Sequence, residues 1–127
     1  MRNSFEYTVD NPNEFEKKII FFSKDYSQYC LLNSNSSKYN APTKYYQYDM
    51  ICAIDSIKNL NSNQASLENL RAFHKKEKDW AFGYISYDLK NEIFKIRSEN
   101  IDIFKNHNIS FFIPRHVFLL KGKKLII

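Results

Sequence analysis

Apolar and polar residues alternate from Ser4 to Val9, with Phe5, Tyr7 and Val9 on one side and Glu6 and Thr8 on the other. Period two is the signature of a half-buried strand. The spacing then becomes helical. Phe15, Ile19 and Phe22 share one face of a helix expected to run from a cap at Asp10 or Asn11 to about Lys24. Pro12 suits its first turn, where Glu14 and Glu16 also meet the positive end of the helix dipole. Tyr29-Cys30-Leu31-Leu32 reads as a short buried strand. Asn33-Ser34-Asn35-Ser36-Ser37 breaks it with side chains that bond their own backbone, and a loop follows to Pro42.

The longest strand-like run is Tyr45 to Ile57, which fits one long or bent strand, and Asn59 to Asn63 reads as a polar connection. Ser66 is placed to cap a second helix, with Leu67, Leu70 and Phe73 on its apolar face and a charged end at residues 74–79. Trp80 to Tyr87 is an expected strand. It contains Gly83, and a lone glycine in a strand marks a bulge or the close approach of another group. Asp88 is placed to cap a short helix from Leu89 to Ile96, with Leu89, Ile93 and Ile96 inward. Ile109–Ile113 and His116–Leu120 read as two strands separated by Pro114-Arg115, and Lys124–Ile127 pairs back across the Lys121-Gly122-Lys123 turn. The elements add up to a single α+β domain, mostly antiparallel sheet with two main helices and one short one. A hydrophobic strand at Leu125-Ile126-Ile127 suggests a boundary inside something larger.

Composition agrees with a globular domain: 127 residues, 43% hydrophobic, 26% charged and 17% aromatic. A chain of this size buries roughly two thirds of the surface its unfolded form exposes, enough for a core without staples. No window approaches the ~20 apolar residues of a membrane helix, and the opening residues lack the apolar stretch of a secretory signal. A cytoplasmic protein that engages no membrane is expected. Cys30 and Cys52 stand apart, with no CxxC spacing, and read as buried thiols rather than a disulfide or metal site.

The net charge of +5 belongs to the C-terminal end, since the five cations Lys105, Arg115, Lys121, Lys123 and Lys124 meet no acid there. Three of them surround one turn, which reads as a solvated hairpin tip whose lysines discourage edge pairing. A nucleic-acid surface would spread its cations over a face among exposed aromatics, so no nucleic-acid partner is expected. His74, His107 and His116 sit in no nucleophile or metal motif; a pairing of Cys30 or Cys52 with His116 across a sheet is the one nucleophilic arrangement conceivable. Asp88 and Glu92, four residues apart, read as a helix cap and a solvated carboxylate. Walker, HExxH, GxSxG and GxGxxG patterns are all lacking. The residues alone describe a binding or structural domain without catalytic machinery of its own.

Three segments add to this. Phe82-Gly83-Tyr84-Ile85-Ser86-Tyr87-Asp88-Leu89-Lys90-Asn91-Glu92-Ile93 resembles the GY(L/I)SYD segment near the N-terminus of chorismate-utilising component I enzymes. Its Asp-Leu-Lys-Asn-Glu continuation resembles the aminodeoxychorismate (para-aminobenzoate) synthase branch. Leu31-Leu32-Asn33-Ser34 falls where that family and the anthranilate synthases have LLES or LLDS, and Phe111-Phe112-Ile113-Pro114 resembles their FF.P element. Asn106-His107-Asn108-Ile109-Ser110 departs from the family's GFPDL stretch.

The resemblance implies the N-terminal, non-catalytic domain of an aminodeoxychorismate synthase component I, with an anthranilate synthase component I as the alternative branch. The parent enzyme aminates chorismate to 4-amino-4-deoxychorismate on the way to folate. Its catalytic residues and Mg2+ site would belong to a C-terminal chorismate-binding domain, present in cis or in trans, and ammonia would come from a glutamine amidotransferase subunit. No cofactor is expected on this chain. The resemblance also implies a tryptophan-like ligand, with Leu31 and Leu32 as apolar wall and Ser34 as a hydrogen-bonding group. Asn33 replaces an acid there, removing a charge that would pair with an ammonium. Tyr84 and Tyr87 are candidates for the floor of a cleft. A stand-alone module for an amino acid or other small ligand is the competing reading.

Overall fold

The computed structural model describes residues 2–35, 47–96 and 105–127. Its elements are β1 (Glu6–Thr8), α1 (Pro12–Ser23), β2 (Tyr29–Asn33), β3 (Met50–Ser62), α2 (Ser66–Glu77), β4 (Phe82–Ile85), α3 (Leu89–Phe94), β5 (Ile109–Lys121) and β6 (Lys124–Ile126). Among the described residues the strands form one six-stranded antiparallel sheet in the order β1-β6-β5-β3-β2, with β4 also paired to β5. The fold is α+β. The chain forms two compact units: Met1–Ser56 with Pro114–Ile127, and Ile57–Ile113.

In the first unit α1 starts as its residues require. The Asn11 side chain accepts the Glu14 amide at 3.2 Å, Pro12 occupies the first turn, and Glu14 pairs with Lys18 at 2.7 Å. Ile19 carries the helix into a cluster with Met50, Cys52, Ile54, Leu120 and Leu125, with Phe15 and Leu31 packed against it. Met50, Cys52 and Ile54 are alternate residues of β3 and so share one sheet face. Beside this cluster, Gly122 takes φ of +54° to turn β5 into β6, a conformation glycine adopts without strain. The Asp49 carboxylate accepts the Gly122 amide at 2.6 Å, and the Asp49 amide donates to Leu120 O at 2.8 Å, pinning the hairpin to the start of β3.

Two expectations about strands are corrected. The separation of 109–113 from 116–120 at Pro114-Arg115 does not occur, because β5 runs unbroken from Ile109 to Lys121. Proline removes one amide from the ladder, and the Arg2 guanidinium occupies the neighbouring acceptors, donating to Pro114 O at 2.5 Å and Arg115 O at 3.2 Å. Asp55, with a left-handed φ of +61°, interrupts the pleat of β3 and pairs with Arg115 at 2.8 Å. β3 also extends through Asn59 to Ser62, which had read as a connection. Residues 45 and 46 of the expected strand lie outside the described residues, as does the loop to Pro42.

In the second unit Phe82 and Phe112 are buried opposite one another, and Trp80 stacks on Phe82 at 5.9 Å. Leu67, Leu70 and Phe73 of α2 are half-buried, as their spacing predicts. α3 ends at Phe94, with Lys95 in the left-handed conformation, two residues short of the expected Ile96. Leu89 is buried, but Ile93 and Ile96 are about half exposed rather than inward.

Candidate functional site

The resemblance-bearing segment from Phe82 to Ile93 is built on the approach of β4 to β5. Gly83 lies opposite Phe111, and a Cβ placed there would come within 1.9 Å of Ser110 O and 2.6 Å of Phe111 Cα. Glycine is required by the neighbouring backbone, which is the close approach that its isolation in the strand suggested. After β4, Ser86 turns the chain: its Oγ accepts the Asp88 amide at 3.1 Å and its carbonyl accepts the Leu89 amide at 3.3 Å. Asp88 stands at the helix start without a capping bond from its side chain, contrary to expectation, because Ser86 fills that role.

The Glu92 carboxylate accepts three hydrogen bonds from described residues. It accepts the Ser66 amide at 2.9 Å and the Ser66 hydroxyl at 2.5 Å, and Asn108 Nδ2 donates to it at 2.5 Å. Asn108 is itself held by Asn63, its amide donating to Asn63 Oδ1 at 2.9 Å, and its carbonyl accepts the Ser86 amide at 2.8 Å. Burial opposes the Glu92 charge, but the three hydrogen bonds from Ser66 and Asn108 outweigh it and hold the carboxyl below the ordinary glutamate value. Two expectations change. Ser66 is the first helical residue, following Ala65 at φ +48°, so it does not act as the cap. Glu92 is not a solvated carboxylate, because it supplies from α3 the acceptor that the N-terminus of α2 needs.

What this framework leaves on the surface is apolar. Tyr87 is 80% exposed with Lys90 Nζ 3.7 Å from its ring centre, Phe94 is 68% exposed, and Tyr84, Ile85, Ile93 and Ile96 are each about half exposed. Tyr84 points to the Ser110 side of the β4–β5 pair.

The other candidates lie in the first unit. Leu31 is half-buried against the core, while Leu32 lies opposite Ile51 and is about half exposed. Asn33 Oδ1 accepts the Asn35 amide at 2.7 Å, the self-bonding turn expected of it, and Asn33 Nδ2 donates to Glu16 at 3.2 Å. The Ser34 amide donates to Asp49 O at 2.9 Å. The six sequence candidates therefore divide between the units: Leu31, Leu32, Asn33 and Ser34 in one, Tyr84 and Tyr87 in the other.

The cations of the C-terminal end find acids that the sequence order conceals. Lys124 pairs with Glu6 at 2.7 Å, Lys121 with Asp49 at 3.6 Å and Arg115 with Asp55 at 2.8 Å. Cys30 lies opposite Ala53, and Leu31 opposite Cys52, so the two thiols leave adjacent strands on opposite faces and cannot bridge. Burial raises the Cys30 thiol. Cys52 is pushed up to about 11, by burial first and by Cys30 second. A nucleophilic thiolate needs the reverse shift. Among the described residues no three His, Cys, Asp or Glu side chains come together as a metal site, and no helix is long and apolar enough to cross a membrane.

No family model matches the chain, and no curated protein or solved structure matches it.

Proposed function

We propose that this chain serves as the N-terminal, non-catalytic domain of an aminodeoxychorismate synthase component I. In this reading it supports a chorismate-binding domain, in cis or in trans, that aminates chorismate with ammonia from a glutamine amidotransferase subunit. Mg2+ and the reacting groups belong to that partner.

The observation that carries the reading is the division of labour within Phe82–Ile93. Gly83, Ser86 and Glu92 hold the segment in place by a backbone approach, a turn and three hydrogen bonds. Tyr84, Ile85, Tyr87 and Ile93 contribute surface that their own unit leaves exposed. An apolar surface of this kind marks a place of association, and it occurs on the segment that resembles the chorismate-utilising enzymes. The stand-alone amino-acid module draws less support, because Asn33 accepts from the Asn35 amide and donates to Glu16, and the Ser34 amide donates to Asp49, all within the chain itself.

Reading the coding DNA beyond codon 127 tests the proposal. An in-frame continuation into a chorismate-binding domain, or such a domain encoded alongside, is the expected result. A stop codon in a genome with no such domain near it would overturn the proposal, and calorimetry with tryptophan would then test the ligand-binding alternative.

A further inference from the structure

We propose that residues 86–96, the segment that carries α3, form a detachable arm latched to the second unit by the Glu92 carboxylate. The arm has little else to hold it. α3 has six residues, too few for an isolated helix to persist. Leu89 is its one buried residue, and Tyr87, Ile93, Phe94 and Ile96 are all about half exposed or more. Asp88 makes no side-chain cap, and Lys95 ends the helix in the left-handed conformation.

Against this weak apolar attachment stands a concentrated polar one. Three donors converge on Glu92, two from Ser66 at the start of α2 and one from Asn108 just before β5. Asn108 also accepts the Ser86 amide, so the arm is fastened at its beginning and middle to the same asparagine. Asn108 is fixed in turn by Asn63. Hydrogen bonds of this kind are lost together once the carboxylate leaves, because each donor depends on the same acceptor. The arm consequently opens as one unit while β3 and β5 stay paired, and its opening carries Tyr87, Ile93 and Phe94 away together. The inference does not depend on the proposed function.

Native-state hydrogen exchange on the full chain tests it. Amides of residues 89–94 are expected to exchange together, through an opening more frequent than that of Met50–Ile54. Glu92→Gln retains the shape but turns an amide group toward the donors of Ser66 and Asn108. It should speed exchange of 89–94 about tenfold or more, with the arm still opening more often than 50–54, as a subglobal opening requires. Ser66→Ala, which removes one donor of three, should give a smaller increase at the same amides. Equal protection of arm and strands in the unaltered protein would overturn the latch. So would a Glu92→Gln effect that is absent from 89–94. If Glu92→Gln does not fold, the unaltered protein and Ser66→Ala decide the matter alone.

Discussion

Replacing Gly83 with alanine places a methyl group inside the backbone of β5. The new carbon would lie 1.9 Å from Ser110 O, 2.6 Å from Phe111 Cα and 2.8 Å from Ser110 C. None of these atoms belongs to a side chain that can turn aside. Restoring ordinary contact needs β4 and β5 to separate by roughly 1.5 Å, which strains the hydrogen bonds of the whole four-residue pairing. Overpacking of a well-filled site costs about 1–3 kcal/mol, and an immovable backbone places this case at the upper end. Restricting the unfolded chain returns about 0.4–1 kcal/mol. The net expectation is a loss of about 2–2.5 kcal/mol, or a urea midpoint lower by about 1–2 M. Trp80 is the single tryptophan and stacks on Phe82 of β4, so its fluorescence reports the event. Gly122→Ala is the informative control. It meets nothing within 4 Å but must hold φ at +54°, and should cost only about 1 kcal/mol. A Gly83→Ala midpoint indistinguishable from the unaltered protein would refute the reasoning.

Three further outcomes follow from particular contacts. Asp49→Ala removes the acceptor of the Gly122 amide and the partner of Lys121, and should cost about 1–2 kcal/mol in thermal unfolding, with Asp49→Asn in between. Glu92 is held below its ordinary value of 4.5, so the unfolded chain binds the extra proton; its contribution is full above that value and disappears as pH falls through the lower folded value. Acid titration of stability should show this loss, and Glu92→Gln should reduce it. Cys52, raised to about 11, should alkylate on the order of a hundredfold more slowly than a free thiol at about pH 8, until denaturant is added, as mass spectrometry would show.

Features set by neighbours in sequence were legible in advance. Asn11, Pro12 and Glu14 announce the start of α1 within four residues, and Lys121-Gly122-Lys123 announces the hairpin. Gly83 was legible as a close approach because glycine has few other reasons to sit in a strand, though the sequence does not say what approaches. Features set across long separations were hidden. β5 passes through Pro114 with help from Arg2, 112 residues away, and the last residues of β3 lie beside β5, where Asn61 accepts the Ser110 hydroxyl 49 residues on. The role of Glu92 depends on Ser66, 26 residues before it, and on Asn108, 16 after it. The outward placement of Ile93 and Ile96 was hidden for a different reason. Periodicity gives the relative orientation of side chains on a helix, but a six-residue helix is too short for it to fix which face is buried. The ion pairs of the C-terminal cations were likewise invisible to a count of charge along the chain, since Glu6 meets Lys124 only because β1 pairs with β6.

The claim that the exposed surface around Tyr84, Tyr87 and Ile93 serves a chorismate-binding domain is most directly tested by calorimetric titration. The purified chain would be titrated with the chorismate-binding domain encoded in the same genome, at several temperatures. The account predicts saturable binding with a negative heat-capacity change, the mark of apolar burial, and its loss in Tyr87→Ser with Ile93→Ser while the fold survives. Binding that ignores these substitutions, or no binding when both proteins are folded, would contradict it.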